Sequence, residues 1–430
     1  MFLVTTLVLA VAASLDGQPI DTPIGTARTT TLGNNCATCE NGIWLQSGNT
    51  CYDNLALAIY SNFANEPLYI SGTIEVENEI ALLSSIKLVG SSCGASISKP
   101  KIVSRIDDDY DAIFVLSGQD GATYHFENIH FENGDDRSRL IRTAEVDEDQ
   151  EETDDAGWSD MPAYNLALID IVAEKFETKA RGGSAVFMQV ARSVLIDGST
   201  FSQNNVADPG KELYGGGGAV WIHEVPKGNS VVVQNSIFTE NTMEFEHGLG
   251  AAFYIAHIDG AASILNCVFR DNAAADGAAI HISRTDTSGS VIINSTFQNN
   301  RAASDWGARG SALRFKYIYG SVSIDGVYTD NETADGRSLI ANNRVGSGAS
   351  VRLAGTFINN DCRQGGAVWD SHMEFGGVMT ISSGTSMVDN DSDVNPGTVI
   401  RLAGANEGDA TTYKSADWVN SLTEDTMITL

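Results

Sequence analysis

FSQN (201–204), FTEN (238–241), FRDN (269–272) and FQNN (297–300) repeat one short phrase, in which an aromatic residue is followed three positions later by asparagine. The phrase continues as YTDN (328–331), FINN (357–360) and MVDN (387–390), the last with methionine in the aromatic position. Successive asparagines are 28 to 37 residues apart. Self-similarity at a period in this range is the signature of a solenoid, in which each repeat packs only against its neighbours.

The composition of one repeat decides between helical and β-solenoids. Each phrase follows a β-branched run, such as SVVVQ (230–234), and precedes a small-residue turn with a short apolar strand, such as GAAFYI (250–255). These runs alternate with a period of two, and no ten-residue amphipathic stretch lies within a repeat. The sequence therefore predicts an all-β chain, a right-handed parallel β-helix with an N-terminal capping helix.

Equivalent residues of neighbouring coils stack about 4.8 Å apart in such a fold. The aromatic residues of the phrase should form an interior stack. The asparagines should form a structural ladder at a bend, where their amides bond one another and the carbonyl groups of the turn. The ladder residues are Asn204, Asn241, Asn272, Asn300, Asn331, Asn360 and Asn390.

The FxxN phrases, together with GGAV (217–220 and 365–368) and its variants GAAF, GAAI and GSAL, resemble a known repeat type. They are similar to repeats of the polymorphic outer membrane proteins and of related right-handed β-helix proteins in the pectin-lyase-like superfamily. The resemblance covers roughly residues 176–402. It implies the β-helix fold, and the superfamily includes polysaccharide lyases and glycosidases. The bacterial family carries a membrane β-barrel, but no series of barrel-type strands follows residue 402, so we expect none here.

We divide the chain into four segments. Residues 1–13 are predicted to be a signal peptide, since they are apolar from Phe2 to Ala13 and too short to span a bilayer. Residues 14–65 should form a disulfide-bonded segment ending in the capping helix, which Asp53 would begin and in which Leu55, Ile59 and Phe63 share one face. Residues 66–405 are assigned to the β-helix, and 406–430 to a C-terminal tail or cap.

Four cysteines, Cys36, Cys39, Cys51 and Cys93, cluster near the N-terminus. In a secreted chain they predict two disulfides of undetermined connectivity. A zinc site begun by Cys36 and Cys39 is the alternative, although the second half of such a site is missing. Cys267 shares the face of Phe269 and should be a buried free thiol.

The formal charge of −30 limits the partners of the chain. It argues against nucleic acid, whose phosphates would be repelled. Much of the charge lies in AEVDEDQEETDDAGWSD (144–160), within a predicted loop excursion at 135–162. This loop could bind Ca²⁺ weakly, or it could simply be solvated. We expect no other cofactor or metal, and no membrane span.

Strict alternation predicts an outward column on the strands that follow the small-residue turns. It would carry Trp221, Tyr254, His281 and Arg314, with Ile340, Trp369 and Ile400 on the later coils, and His223 and Lys316 two positions further along their strands. Such side chains can stack on sugar rings and bond hydroxyl groups or carboxylates. The predicted ligand-binding residues are Trp221, His223, Tyr254, His281, Arg314 and Lys316. The alternative is that they support a loop packed over the sheet, for which residues 211–216 and 243–248 are available.

No catalytic residue is assigned. A lyase needs clustered carboxylates and a base, and a glycosidase needs paired carboxylates. The only acid near the outward column is Asp370, which alternation places inward.

Three sequons occur, at Asn294, Asn331 and Asn390. Asn331 and Asn390 belong to the ladder and should remain unmodified. Asn294 should face outward and is the predicted glycosylation site.

These observations favour a secreted or cell-surface protein with an adhesin-like binding or structural role, with an extracellular polysaccharide or cell-surface glycan as the expected partner. A carbohydrate-active enzyme and a purely structural surface component are the alternatives. Exposed side chains at Trp221 and Tyr254 would favour the binding protein. Carboxylates clustered beside Arg314 would favour the enzyme, and a covered face would favour the structural protein.

Overall fold

The computed structural model describes residues 42–45, 51–52, 54–62, 65–91, 99–108, 111–134, 137–144, 161–179, 182–207, 216–244, 248–304, 308–394, 396–404 and 411–429. Over these residues the chain winds through about ten turns of a parallel β-solenoid. The predicted all-β fold of stacked parallel coils is confirmed.

Each coil passes in order through three sheets, here named B, A and C. In one coil, Val220–Val225 lies in sheet B, Ser230–Gln234 and Ile237–Thr239 lie in sheet A, and Thr242–Met243 lies in sheet C. Every strand of this coil pairs in parallel with its equivalent in the next coil, so the sheets run along the axis of the solenoid.

The strands of sheet B are Ile80–Leu82, Ala112–Leu116, Arg139–Thr143, the first part of Val186–Asp197, Val220–Val225, Phe253–Ile258, Ile280–Thr285, Leu313–Ile318, Ile340–Val345, Trp369–Met373, Thr398–Gly404 and Thr411–Ser415. The strands of sheet A are Gly42–Leu45, Cys51–Tyr52, Leu68–Ser71, Thr73–Val76, Ile86–Gly90, Lys101–Ser104, Thr123–Glu127, His130–Asn133, Tyr164–Ile169, Val172–Glu174, the second part of Val186–Asp197, Thr200–Ser202, Ser230–Gln234, Ile237–Thr239, Ala261–Arg270, Ser290–Gln298, Ser321–Thr329, Ser350–Leu353, Thr356–Ile358, Val378–Ile381, Ser386–Val388 and Thr426–Thr429. The strands of sheet C are Glu177–Thr178, Asn205–Val206, Thr242–Met243, Ala273–Ala274, Arg301–Ala302, Glu332–Arg337, Asp361–Gln364 and Asp391–Ser392. The two described helices are Leu55–Tyr60 and Ala416–Asn420.

The aromatic residues of the repeated phrase form the predicted interior stack. Ring centroids of Phe201 and Phe238 are 4.9 Å apart, and those of Phe297 and Tyr328 are 4.8 Å apart, with nearly parallel planes. All of these rings are fully buried. Met387 continues the column beside Phe357 in the last coil. Offset aromatic contacts of this kind stabilise a core beyond the area that they bury.

The predicted asparagine ladder forms, and its amides are almost completely satisfied. The Nδ2 of Asn272 donates to Oδ1 of Asn300 at 2.9 Å and to the carbonyl oxygen of Phe238 at 3.1 Å. The same Oδ1 of Asn300 also accepts the backbone N–H of Asn272. This pattern recurs between successive coils from Asn204 to Asn390. The ladder therefore bonds backbone groups that the corner leaves outside the sheets.

The left-handed backbone at this corner belongs to the residue before each ladder asparagine, not to the asparagine. Asn299 has φ 53° and Asp330 has φ 55°, directly before Asn300 and Asn331. Asn and Asp tolerate this conformation better than most residues. At the surface these corner residues also bond one another, as Asn359 Nδ2 does to Asp330 Oδ1 at 2.6 Å.

Both described helices lie at the ends of the β-helix. The N-terminal helix is Leu55–Tyr60, and its N-cap is Asn54, whose side chain accepts from the N–H of Leu57. The prediction that Asp53 begins this helix is wrong, because the amide oxygen of Asn54 takes the capping role. Leu55 is buried and Ile59 packs against the core, as predicted, whereas Phe63 lies outside the described residues.

At the C-terminal end two antiparallel strands cover sheet edges. Thr411–Ser415 pairs with Thr398–Gly404 in sheet B, and Thr426–Thr429 pairs with Val378–Ile381 in sheet A. Val419 of the helix between them is fully buried. Pairing the last coil in this way protects edges that would otherwise attract further strands.

Several predictions fall on residues that the structure does not describe. These are the signal peptide, Cys36, Cys39, Cys93 and the acidic run from residue 145 to 160. The disulfide pairing, including that of Cys51, remains a prediction. Cys267 and Cys362 are buried free thiols, so the prediction for Cys267 is confirmed. Burial raises the pKa of each thiol to about 11, which leaves both unreactive at neutral pH.

Candidate functional site

Four of the predicted ligand-binding residues lie on one column of sheet B. Trp221 pairs with Tyr254, Tyr254 with His281 and His281 with Arg314, each on the next coil. Phe187 extends the column on the N-terminal side. We name these five residues the aromatic–arginine column.

The expectation that this column faces solvent is wrong. Relative exposure is 7% for Trp221, 6% for Tyr254, and 2% for both His281 and Arg314. Trp221 lies between two rings, with its centroid 4.4 Å from that of Phe187 and 6.1 Å from that of Tyr254. Phe187, Trp221 and Tyr254 form a packed cluster with Ala256 outside the main core. His223 is also buried, so Lys316 alone of the six predicted binding residues is exposed.

The later members of the predicted column are also corrected. Ile340, Trp369 and Ile400 were expected to point outward, but they continue the interior column of Leu313 and are fully buried in the core. Asp370, expected inward, takes the outer position instead.

For Ile340 and Trp369 the cause is an uneven turn, whereas Ile400 follows Gly397 by the regular three residues. In each turn a residue with positive φ precedes the first core residue of the following strand. Leu313 follows Gly310 by three residues, Ile340 follows Ser338 by two, and Trp369 follows Gly365 by four. Because side chains alternate between faces, a one-residue slip exchanges inside and outside.

The outer positions of these coils carry an ion-pair network. Asp370 is 3% exposed and accepts from Nη1 of Arg401 at 2.8 Å. Arg314 lies 3.9 Å from Asp276 and donates to the carbonyl oxygen of Phe315 at 3.0 Å. Burial lowers the pKa of Arg314 to about 10, so that it remains a cation at neutral pH. Opposite charges thus compensate one another under the surface.

This network does not match the carboxylate pair of a glycosidase. Asp276 and Asp370 belong to coils three apart, which separates them by about 14 Å at roughly 4.8 Å per coil. Glycosidase pairs are about 5–9.5 Å apart. Asp370 is also held by Arg401 rather than poised towards an open cleft.

Burial lowers the pKa of His281 well below its usual value, and the charges of Arg314 and Lys316 act in the same direction. The folded chain therefore keeps this ring neutral, while the unfolded chain binds a proton below about pH 6.5. Stability should fall as the pH drops below that value, by up to about 1.4 kcal/mol per pH unit from this group. We expect His281→Gln to flatten the dependence of the unfolding free energy on pH between pH 7 and 5. His372→Gln, at a partly exposed ring, is the control, and an equal flattening there would contradict the assignment.

One group of side chains has metal-ligating types. His130, Glu132 and Glu174 bring ligand atoms within 4.8 Å of one another on sheet A. Glu132, however, already pairs with Lys101 and with Lys175, the latter at 2.7 Å. The two ammonium groups neutralise the two carboxylates, so the group is an ion-pair cluster in this structure.

A further surface group, of which the sequence predicted only Lys316 as a binding residue, lies where sheet B turns into sheet A. Tyr317 and Tyr319 are half-buried, and their rings are nearly parallel with centroids 6.3 Å apart. The Arg284 guanidinium lies 5.5 Å from the Tyr319 ring centroid, and the Lys316 ammonium 5.6 Å from that of Tyr317. We name Arg284, Lys316, Tyr317 and Tyr319 the tyrosine patch.

The tyrosine patch depends on a glycine in the next coil. A Cβ atom at Gly346 would approach the Tyr319 ring to 2.4 Å, so only glycine lets the ring lie there. Arg284 is held by Asp286 at 2.6 Å. Two coils further along the same turn, Phe375 is 90% exposed. The signal for this group in the sequence was the pair of tyrosines in KYIYG (316–320).

Comparison of the chain with protein-family models, with characterised proteins and with solved structures finds no match. Within the described residues neither helix is long and apolar enough to cross a membrane.

Proposed function

We propose that this protein is a secreted or cell-surface β-solenoid with an adhesin-like role, related to the β-helix proteins that its FxxN and GGA[ILV] phrases resemble. In this role the coils form a stable rod and a surface group binds extracellular glycans. The apolar segment 1–13 and the N-terminal cysteines support an extracellular location.

The observation that carries the glycan proposal is the tyrosine patch. Partly buried tyrosine rings at a surface can offer an apolar face to the C–H groups of a sugar ring while their hydroxyl groups remain in water. Lys316, Arg284 and the Arg344–Glu374 pair around them supply donors and acceptors for sugar hydroxyl groups. The aromatic–arginine column has the same residue types, but its rings are occupied by one another. Its covered face favours the structural alternative for that column, so the binding role is proposed for the tyrosine patch alone.

A glycan array probed with the secreted protein tests this proposal. Tyr319→Ala should weaken binding of any glycan that scores by at least about tenfold, since aromatic side chains are frequent hot spots of recognition. Leu83→Ala, at another exposed apolar side chain, is the matched control and should leave binding unchanged. Binding that survives both Tyr317→Ala and Tyr319→Ala would contradict the location of the site.

The same samples address the enzymatic alternative. Polysaccharides on which the protein acts would yield new reducing ends, or unsaturated products detected by ultraviolet absorbance. Turnover that Asp370→Asn abolishes would replace the binding proposal with an enzymatic one. If the protein neither binds nor cleaves any of these glycans, the result would favour a purely structural surface component.

A further inference from the structure

The outer face of sheet A changes character along the solenoid. From the coil of Ser230–Gln234 to that of Ser386–Val388 it presents β-branched and small polar side chains to solvent. One column runs through Ile237, Val268, Thr296 and Val327 on successive coils. We name this area the neutral face.

The neutral face, together with the strand Thr426–Thr429 that pairs with its last coil, holds most of the exposed apolar side chains of the described chain. Ten large hydrophobic residues are exposed among the described residues, and six of them lie here. They are Ile237, Ile292, Val327, Ile358, Val388 and Met427, with exposures from 37% to 68%. Outward polar residues such as Ser263, Thr296 and Ser323 lie between them, so the area is a mixed apolar and neutral polar surface and not one continuous apolar patch.

Charge is nearly absent from the same area. Among the strands of sheet A from residue 230 to 388, only Arg270, Asp325 and Arg352 are charged, in a chain whose formal net charge is −30. The N-terminal coils of the same sheet differ, since Lys87–Glu127 and Lys175–Glu132 ion pairs cross them. The neutral face is thus bounded by charge on two sides, by these ion pairs and by the exposed corner acids Glu240, Asp271, Asp330 and Asp389 that directly follow its strands.

We propose that the neutral face binds a second copy of this chain, with the two sheets packed face to face about a two-fold axis. Two copies with a formal charge of −30 each repel one another electrostatically over most of their surface. Because the strands of the neutral face carry few charges, two copies can approach each other there with less electrostatic repulsion. Flat β-sheet faces pack against each other about 10 Å apart, with their side chains interdigitated. A two-fold axis suits one area that meets its own copy.

The size of the neutral face fits a stable dimer. Six coils at about 4.8 Å and strands about nine residues long at about 3.3 Å per residue give roughly 900 Å². A specific interface needs about 800 Å² from each partner. The proposal does not depend on glycan binding, since the tyrosine patch lies on the turn beside this face.

Asn294 of the predicted sequon lies on the neutral face and is exposed. A glycan attached there would hold two copies apart, so glycosylation and association should exclude each other. The association test should therefore include the Asn294→Gln variant, which cannot be glycosylated at this position.

Sedimentation equilibrium of the full chain over a concentration series tests the proposal. We expect a mass of twice 45.8 kDa at high concentration. Added salt should strengthen association, because it screens the repulsion between acidic copies without weakening apolar contacts. Ile292→Lys with Val327→Lys should raise the dimer dissociation constant by at least about tenfold. Leu83→Lys, at an exposed apolar residue away from this face, is the matched control.

Circular dichroism and thermal unfolding of each variant establish that it folds. A monomer at every concentration and salt level would overturn the proposal. So would a dimer that the double lysine variant leaves intact, or one that Leu83→Lys disrupts equally. Association with a different protein through this face, while the chain alone stays monomeric, would also overturn it.

Discussion

Asn300→Ala is expected to lower the free energy of unfolding by about 1–3 kcal/mol, as measured by urea denaturation. The amide of Asn300 is fully buried. It accepts the backbone N–H and the Nδ2 of Asn272, and it donates to Phe269 and Asn331. Alanine would leave several buried polar groups without partners in two neighbouring coils.

The adjacent asparagine provides a matched control. Asn299 is exposed at the corner, with φ 53°. Asn299→Gly removes the amide but keeps a residue that adopts this conformation freely, so it should cost less than about 1 kcal/mol. Equal losses at the two positions would contradict the ladder as the source of stability.

Trp221→Ala is expected to lower the free energy of unfolding by about 3–5 kcal/mol, the usual cost of removing a buried aromatic side chain. Trp221 is 7% exposed and stacks on Phe187 and Tyr254, so its removal opens a cavity within the column. Phe375→Ala, at an aromatic residue that is 90% exposed, should change stability by no more than about 0.5 kcal/mol. A stable Trp221→Ala variant that loses glycan binding would restore this column as the binding site.

The repeated phrase was sufficient to predict the fold and its interior. The period of the asparagines indicated the coil, and the aromatic column followed because equivalent residues stack in register. The side-chain bonding of the ladder was also predictable, since a buried amide at a bend must find partners. The position of the left-handed residue was not predictable, because asparagine, which tolerates positive φ, fills the fourth position of every phrase and also the third position at Asn299 and Asn359.

The candidate site was only partly predictable. Alternation correctly placed Trp221, Tyr254, His281 and Arg314 on one outer column, but it says which face a side chain takes and not whether that face is covered. The uneven turns at Ser338 and Gly365 place Asp370 on the outer face. This shift could not be predicted from the repeat, because the repeat gives every turn the same length. Tyr317 and Tyr319 were missed because they lie at the end of a strand, where the repeat is least regular.

Covalent footprinting of the folded chain, read residue by residue by mass spectrometry, tests the central claim most directly. That claim is that the aromatic–arginine column is internal packing while the tyrosine patch is open to ligands. Tyr317 and Tyr319 should be modified by iodination or hydroxyl radicals, whereas Trp221 and Tyr254 should react only after unfolding. Rapid modification of Trp221 and Tyr254 in the native protein, with Tyr317 and Tyr319 protected, would contradict it.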